Sequence, residues 1–295
     1  MQKLAAGMYL PLIGTQEQRA VKVSKRIIPS SGEKLTPIGL GTWLTFDVGD
    51  RQSDLEQRQQ VLKVLVENEG SVVDTSPMYG RSESVVGRLS ASLGLNKNLF
   101  IATKVWTTGE NEGRAQMDKS FALLKRRQLD LMQIHNLVDW GTHLPIIQRM
   151  KEENQIRYTG ITHYVESAYD ELERIMRTRT IDFLAVNYSL HSRVAEQRLL
   201  PLAMDKGIAV IINRPFEQGA LFERVRNKPL PAWSREINCS SWAQIFLKYV
   251  LSNPAVTCVI PGTSDPAHML ENIRTADGVV PDAHLKGEML KVLAS

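Results

Sequence analysis

The chain has 295 residues, of which 43% are hydrophobic and 23% are charged, and its formal net charge is +4. This balance is typical of a soluble globular protein, and the length accommodates one large α/β domain or two smaller ones. The basic residues form no stripe interleaved with aromatic residues, and no zinc-binding spacing occurs, so we expect no nucleic-acid partner. No apolar run approaches the roughly 18 residues that are needed to span a bilayer.

Residues 1–24 are predicted to form a flexible N-terminal arm or the remnant of an export signal. They begin with MQKLAAGMYLPLIG, in which one lysine precedes an apolar stretch that weakly resembles a signal peptide. A proline interrupts the stretch, and no A-x-A cleavage site is evident. We therefore expect a cytoplasmic protein, with a periplasmic or secreted location as the alternative.

Residues 25–295 are predicted to form a single domain that begins with a hairpin over residues 25–36. Segments with helical periodicity then alternate with apolar, β-branched runs, and Gly70 and Gly207 are predicted as left-handed residues that end helices. Eight strands separated by helices predict a (β/α)8 TIM barrel whose bottom the hairpin caps. A doubly wound α/β sheet is the alternative, but its G-x-G-x-x-G fingerprint is lacking. The predicted strands span residues 37–43, 71–76, 99–105, 129–136, 156–164, 181–189, 207–215 and 256–263.

Four reactive side chains lie at, or just past, the downstream ends of these runs: Asp74, Tyr79, Lys104 and His135. Because the strands of a parallel barrel end at one mouth, we expect these side chains to lie close together. A lysine ammonium beside a tyrosine stabilises the phenolate and so lowers a pKa that is ordinarily about 10. Asp74 would hold the lysine, and His135 would orient a carbonyl oxygen. The group suits a reaction in which that oxygen gains a proton.

A second pattern, IPGTSDPAHMLENI, follows the eighth predicted strand. Asp265 is a good N-cap and Pro266 a good first-turn residue, so a helix is predicted to begin here. The small residues Gly262, Thr263 and Ser264 expose backbone N–H groups at its positive end, a position that binds phosphate in many barrels. An ordinary capped helix is the alternative interpretation.

The motifs GLGTW, DTSPMYG, ATKVW, QIHN and IPGTSDPAHMLENI, in this order, resemble those of the aldo-keto reductase family, over about residues 26–290. The resemblance implies a barrel that reduces an aldehyde or ketone to an alcohol with a hydride from NADPH, or alternatively from NADH, and without a metal. It implies that Tyr79 donates the proton, that Lys104 and Asp74 tune it, and that His135 orients the carbonyl. It assigns cofactor contacts to Gly41, Thr42, Thr162, His163, Asn213, Arg214, Gly262, Thr263, Ser264, His268, Glu271 and Asn272. The substrate wall is expected to include Trp43, Trp106 and the loops near residues 138–140 and 216–222.

Several cofactor positions depart from the pattern of the family. Ala185 stands where a glutamine is usual, and Asn213 stands where a tyrosine commonly stacks on the nicotinamide. Gly262 and His268 stand where many members carry a lysine and an arginine for the 2′-phosphate. The loss of these two cations leaves the choice between NADPH and NADH open.

Two other functions remain open at this point. Lys104 could act as the nucleophile of a Schiff-base aldolase, or the chain could be a non-catalytic nucleotide-binding or regulatory barrel. The start of the chain, with IPSSGEKLTPIGLGTW followed by FDVGD, is similar to a branch of the family whose members often carry an export signal. The physiological substrate, beyond a small carbonyl compound, and the oligomeric state do not follow from the sequence.

Overall fold

The computed structural model describes residues 24–294, so the predicted N-terminal arm lies outside the described residues apart from Ser24. The strands within this range are β1 (Arg26–Ile27), β2 (Lys34–Leu35), β3 (Leu40–Gly41), β4 (Val72–Asp74), β5 (Phe100–Val105), β6 (Leu129–His135), β7 (Ile156–Thr162), β8 (Phe183–Asn187), β9 (Ala209–Asn213) and β10 (Val256–Val259). The α-helices are α1 (Gln52–Glu67), α2 (Ser82–Ser92), α3 (Glu110–Leu124), α4 (Trp140–Glu152), α5 (Tyr169–Thr178), α6 (Leu199–Lys206), α7 (Ala220–Val225), α8 (Trp242–Leu251), α9 (Pro266–Arg274) and α10 (Ala283–Ala294). Short 3₁₀ helices lie at Glu166–Ala168, Val194–Gln197, Glu217–Gly219 and Ala232–Ile237.

Strands β3 to β10 form one parallel sheet in which each strand pairs with the next along the chain. The sheet closes on itself through parallel bridges from Ile38 to Val259 and from Gly41 to Gly262. The Val259 N–H also donates to the Pro37 carbonyl at 2.8 Å. This closure confirms the predicted (β/α)8 barrel and rules out the doubly wound alternative, because an open sheet leaves its two edge strands unpaired with each other.

The strands are buried on both faces, which explains their nearly continuous apolar sequences. Every residue of β5 and of β6 is buried, since one face points into the barrel and the other packs under the surrounding helices. The polar residues that remain in these strands, among them Lys104, Gln133 and His135, are therefore placed inside the molecule. Such residues need internal partners, and those partners build the site described below.

The N-terminal hairpin closes the end of the barrel at which the strands begin, here called the floor. β1 and β2 pair antiparallel, with Arg26 opposite Leu35. Ile28 and Leu35 are 0% and 2% exposed and pack with the inward-facing rings of Phe100 and Phe183. The predicted hairpin is thus confirmed, and the strands end at the opposite side of the barrel, here called the mouth.

The turn between α1 and β4 differs from the prediction in one detail. Gly207 has the left-handed conformation expected of it, with φ 65°, but after α1 the left-handed residue is Glu69, with φ 62°. Gly70 is required for a different reason: a Cβ atom there would lie 2.3 Å from Leu65 Cδ1 and 2.7 Å from the Leu65 carbonyl oxygen. Close approach of the helix end, and not backbone handedness, therefore demands glycine at this position.

Two further properties concern residues 24–294 as a whole. None of the helices in this range combines the length and the apolar character that crossing a membrane requires. Within the same range, no three or more His, Cys, Asp and Glu side chains are grouped in a way that could hold a metal ion.

The packing of the hairpin against the floor of the barrel leads to a prediction about stability. Replacing Ile28 with alanine leaves a cavity under the barrel, so we expect the free energy of unfolding to fall by about 2–5 kcal/mol in urea titrations. Ile27 is the matched control, because it is the same residue type in the same hairpin but is 55% exposed. Its alanine variant should change stability by less than about 0.5 kcal/mol. Equal losses in the two variants would contradict the role of the hairpin as a packed floor.

Candidate active site

The four predicted catalytic residues reach the mouth from neighbouring strands. Asp74 is the last residue of β4, Lys104 is the penultimate residue of β5, and His135 is the last residue of β6. Tyr79 lies in the loop between β4 and α2, where its backbone N–H donates to the Ser76 carbonyl at 3.0 Å. Because β4, β5 and β6 are adjacent and parallel, all four side chains line one cavity.

Lys104 and Asp74 form a buried ion pair at the centre of this group. The Lys104 Nζ lies 2.6 Å from Asp74 Oδ2 and donates a second hydrogen bond to the Thr75 carbonyl at 2.7 Å. The Gln133 side-chain amide donates to the other Asp74 oxygen at 3.2 Å. Burial acts to lower the pKa of the Lys104 ammonium, but Asp74 and Tyr79 together outweigh it, so the pKa is raised. The lysine therefore stays charged at neutral pH.

Tyr79 stands beside this ion pair, with the Lys104 Nζ 5.0 Å from the centroid of its ring. Burial raises the pKa of the Tyr79 phenol, and the charges of Lys104 and Arg214 oppose that rise only in part, so the pKa lies above 10.0. Lys104 thus lowers the pKa of Tyr79, as predicted, while desolvation, which the sequence did not show, is the larger effect. Tyr79 is protonated at neutral pH, as a proton donor must be.

His135 is neutral in this environment. Burial, together with the positive charge of Lys104, lowers the pKa of His135 to about 2. Its Nδ1 lies 3.0 Å from Ser76 Oγ, and its ring meets the Tyr79 ring edge to face with the centroids 5.7 Å apart. Since Nδ1 is engaged by Ser76, Nε2 is the nitrogen that remains for a molecule in the cavity.

The cavity at the mouth has a volume of about 480 Å³, which is within the usual range for pockets that bind small molecules. One side of its wall is the polar group from β4, β5 and β6. Much of the remaining wall is apolar and includes Trp43, Met78, Phe216 and Phe222. A cavity with polar side chains on one side and apolar side chains on the other suits a small molecule with one reactive polar group.

A family model described as the Aldo/keto reductase family matches residues 37–286, which span the whole barrel. The chain belongs to the aldo-keto reductase family. An uncharacterised oxidoreductase of Schizosaccharomyces pombe is 30% identical over 294 residues and aligns with 94% of this chain and 90% of its own length. An NADH-specific methylglyoxal reductase of Escherichia coli is 24% identical, with 88% of this chain and 96% of that protein covered. A crystal structure of an aldo/keto reductase from Klebsiella pneumoniae, in complex with NADP and acetate, shares the fold with a TM-score of 0.77 at 21% identity, covering 92% and 96% of the two chains.

Membership confirms the family that the motifs resemble, and the chain is accordingly an NAD(P)H-dependent oxidoreductase of the aldo-keto reductase type. Six of the predicted cofactor contacts line the cavity: Gly41, Thr42, Thr162, Asn213, Arg214 and Gly262. Gly41 must lack a side chain, because a Cβ atom there would lie 2.8 Å from the Ile260 carbonyl oxygen. The Thr42 hydroxyl donates to the Asp74 carbonyl at 3.0 Å, and this hydrogen bond links the residue after β3 to the end of β4.

The end of β9 supplies two cavity residues of different character. Oδ1 of Asn213 is buried without a hydrogen-bond partner among the described residues, and such an acceptor fits an N–H donor such as a carboxamide. Arg214 has a left-handed backbone with φ 51°, and its guanidinium lies 3.9 Å from the centroid of the Tyr164 ring and 5.8 Å from that of Trp43. Within residues 24–294 it forms no salt bridge, so its charge at the cavity wall is not neutralised.

The segment after β10 begins α9 as predicted. The Asp265 carboxylate accepts the Ala267 N–H at 2.7 Å, and Pro266 is the first helical residue. The Thr263 hydroxyl oxygen accepts the Asp265 N–H at 3.0 Å. The segment adjoins the cavity through Gly262, whereas five other predicted cofactor residues do not line it: Thr263, Ser264, His268, Glu271 and Asn272. Asn272, predicted to contact adenine, is 3% exposed.

Two other predicted contacts also lie outside the cavity lining. His163 follows β7, and its Nδ1 accepts the backbone N–H groups of Tyr164 at 3.0 Å and of Val165 at 3.3 Å. Trp106, predicted for the substrate wall, lies just beyond the end of β5 and is 41% exposed. Of the two predicted tryptophans, Trp43 lines the cavity.

Some residues of the site were not among the predicted ones. Ser76 contacts His135, and Gln133 contacts Asp74, while Asn136 lines the cavity. Gln133 could have been predicted from the sequence, because it lies two residues before His135 in an apolar run and so shares its face of the strand. Ser76 could not have been, since serine is common in turns such as DTSPMY.

The ion pair makes a prediction about stability and its pH dependence. Asp74→Asn leaves the Lys104 ammonium buried without a counter-charge, so we expect the free energy of unfolding near neutral pH to fall by about 3–5 kcal/mol. Because the folded-state pKa of Lys104 is raised, the stability from the pair is present below the unfolded pKa and is lost as the pH rises through the folded pKa. We therefore expect urea unfolding of the wild type and Asp74→Asn, from pH 7 into the alkaline range, to give free energies of unfolding that differ less as the pH rises.

Asp182→Asn is the matched control for this prediction. Asp182 also pairs with a lysine at 2.6 Å, but that residue, Lys151, is 40% exposed and regains water when the partner is removed. The difference in the free energy of unfolding between this variant and the wild type should shrink much less as the pH rises. If this difference shrank equally with pH in Asp74→Asn and Asp182→Asn, burial of the Lys104 charge would not explain the effect.

Proposed function

We propose that this reductase converts a small aldehyde or ketone into the corresponding alcohol, with Tyr79 as the proton donor. The observation that carries the proposal is the meeting of buried Asp74, Lys104 and His135 with half-buried Tyr79 at one cavity. The group combines a protonated acid, a fixed positive charge and a neutral imidazole, and these are the parts that reduction of a carbonyl oxygen requires.

The residues divide the work on the oxygen atom. The nicotinamide cofactor, when bound, supplies a hydride to the carbonyl carbon. Tyr79 gives its phenolic proton to the oxygen, and the Lys104 ammonium stabilises the phenolate that remains. Asp74 holds the ammonium in place and charged, while His135 donates a hydrogen bond that orients the carbonyl. Acid assistance of this type contributes roughly 10²- to 10⁴-fold to the rate.

Three cavity residues support binding of a nicotinamide dinucleotide. The Asn213 oxygen, which has no partner among the described residues, is suited to the carboxamide N–H, and Thr162 also lines the cavity. Arg214 is suited to an anionic part of the cofactor, because its charge meets no carboxylate in the described chain. We propose NADPH as the cofactor, with NADH as the alternative. The Klebsiella structure contains NADP, whereas the Escherichia coli relative is NADH-specific.

The cavity also bears on the class of substrate. Its volume of about 480 Å³ and its apolar wall suit a compact carbonyl compound. The Escherichia coli relative is a methylglyoxal reductase, and we propose small 2-oxoaldehydes as the first substrates to test.

The two alternative functions are less well supported. A Schiff-base aldolase needs an uncharged lysine, but the Lys104 Nζ donates to both Asp74 and Thr75 and its pKa is raised. A non-catalytic barrel would have no need of a buried, costly ion pair beside a protonated phenol. Neither alternative uses all four of the residues.

Tyr79→Phe is the direct test of the proton donor. Removing one hydroxyl should lower the turnover number for aldehyde reduction by about 10²- to 10⁴-fold, while the Kd for NADPH, measured by fluorescence quenching, stays within twofold. Turnover is followed by the loss of NADPH absorbance with methylglyoxal as substrate. If the variant still binds NADPH and reduces the aldehyde at the wild-type rate, Tyr79 is not the proton donor.

Arg214→Gln tests the cofactor contact. Losing one charge-assisted hydrogen bond should raise the Kd for NADPH by roughly tenfold or more. An equal rise for NADH places the arginine at the pyrophosphate, whereas a rise for NADPH only places it at the 2′-phosphate. Arg224→Gln, on the exposed surface of α7, is the control and should bind both nucleotides normally. Unchanged affinity for both nucleotides in Arg214→Gln would remove this residue from the cofactor site.

A further inference from the structure

We propose that Ser76 fixes the tautomer of His135, so that the imidazole carries its proton on Nε2. Ser76 is fully buried in the loop that follows β4, and its Oγ lies 3.0 Å from His135 Nδ1. It is a positioning residue that acts through His135. The use of the Nε2 proton rests on the proposed function, whereas the tautomer itself does not.

The hydrogen bonds of the serine determine which way its proton points. The Ser76 Oγ accepts the backbone N–H of Met78 at 3.3 Å. Its own hydroxyl proton then has one acceptor among the contacts of the described chain, which is His135 Nδ1. A nitrogen that accepts this proton carries none of its own, and a neutral imidazole has one N–H. That N–H must therefore be on Nε2.

The opposite tautomer leaves a hydroxyl unsatisfied. If His135 carried its proton on Nδ1, Ser76 Oγ would accept both that N–H and the N–H of Met78. The serine proton would then have no acceptor although Ser76 is 0% exposed, and buried donors without partners are costly. Protonation of both nitrogens would also change the pattern, but burial and the charge of Lys104 lower the pKa of His135 to about 2.

The tautomer decides what His135 can do for a carbonyl group. The rings of His135 and Tyr79 meet edge to face, and both residues line the cavity. With the proton on Nε2, the imidazole donates a hydrogen bond to the carbonyl oxygen that Tyr79 protonates. With the proton on Nδ1, the Nε2 lone pair would face that oxygen and repel it.

The first test observes the tautomer in the wild-type protein. Long-range ¹H–¹⁵N correlation spectra of ¹⁵N-labelled protein distinguish protonated from unprotonated ring nitrogens for each of the 6 histidines. The spectrum of His135→Gln identifies the signals of His135. We expect an unprotonated Nδ1 and a protonated Nε2 from pH 6 to 8. A protonated Nδ1, or an averaged mixture of the two forms, would overturn the proposal.

The second test links the tautomer to catalysis. In Ser76→Ala we expect mixed tautomer signals for His135 and a turnover number lower by about tenfold, the effect of one weakened hydrogen bond, with an unchanged Kd for NADPH. Ser76→Thr keeps the hydroxyl and should restore both properties. Ser90→Ala is the control, because Ser90 is also buried but bonds to the Gly87 carbonyl within α2.

The outcomes separate the two proposals. If the Ser76→Ala spectrum matches that of the wild type, Ser76 does not set the tautomer, whether or not the protein reduces carbonyl compounds. If the wild type reduces no carbonyl compound while its spectrum shows the Nε2 tautomer, the proposed function fails and the structural role of Ser76 stands. If Ser76→Ala does not fold, the wild-type spectrum still tests the proposal, because a protonated Nδ1 there would overturn it.

Discussion

The buried salt bridge between Lys104 and Asp74 is the constraint on which the rest of the site depends. Both side chains are almost fully excluded from solvent, and a buried pair of this kind is often no more stable than apolar residues of the same volume. Thr75 and Gln133 complete its hydrogen bonds, which makes the burial tolerable. The pair is better explained by what it does for its neighbour, since it holds a permanent positive charge beside the Tyr79 phenol.

Burial and charge act in opposite directions on the groups around this pair. Desolvation raises the pKa of Tyr79 and lowers the pKa of His135, so both groups are neutral over the physiological range. The charge of Lys104 opposes the first effect and strengthens the second. As a result, the neutral phenol can lose a proton to a nearby oxygen, whereas the neutral imidazole can donate a hydrogen bond while it keeps its proton. Arg214 adds a second positive charge at the cavity wall.

Much of this arrangement follows from the sequence, because parallel strands end at one mouth and Asp74, Lys104 and His135 end apolar runs. The net pKa shift of Tyr79 does not follow, since it depends on how deeply the ring is buried and not on which residues are near. Trp106 shows a second limit: it follows a strand as Trp43 does, but beyond a strand end the loop decides where a side chain points. The contact between Ser76 and His135 is a third case, since 59 residues separate them and the barrel closes that distance.

The proposed mechanism requires a protonated Tyr79, whose pKa burial raises and Lys104 lowers in part. Ultraviolet difference titration of the phenolate in the wild type, with Tyr79→Phe subtracted, measures this pKa directly. We expect a value above the 10.0 of free tyrosine, and a still higher value when Lys104→Met removes the opposing charge. A wild-type value well below 10.0, or a Lys104→Met variant with an unchanged value, would contradict the account.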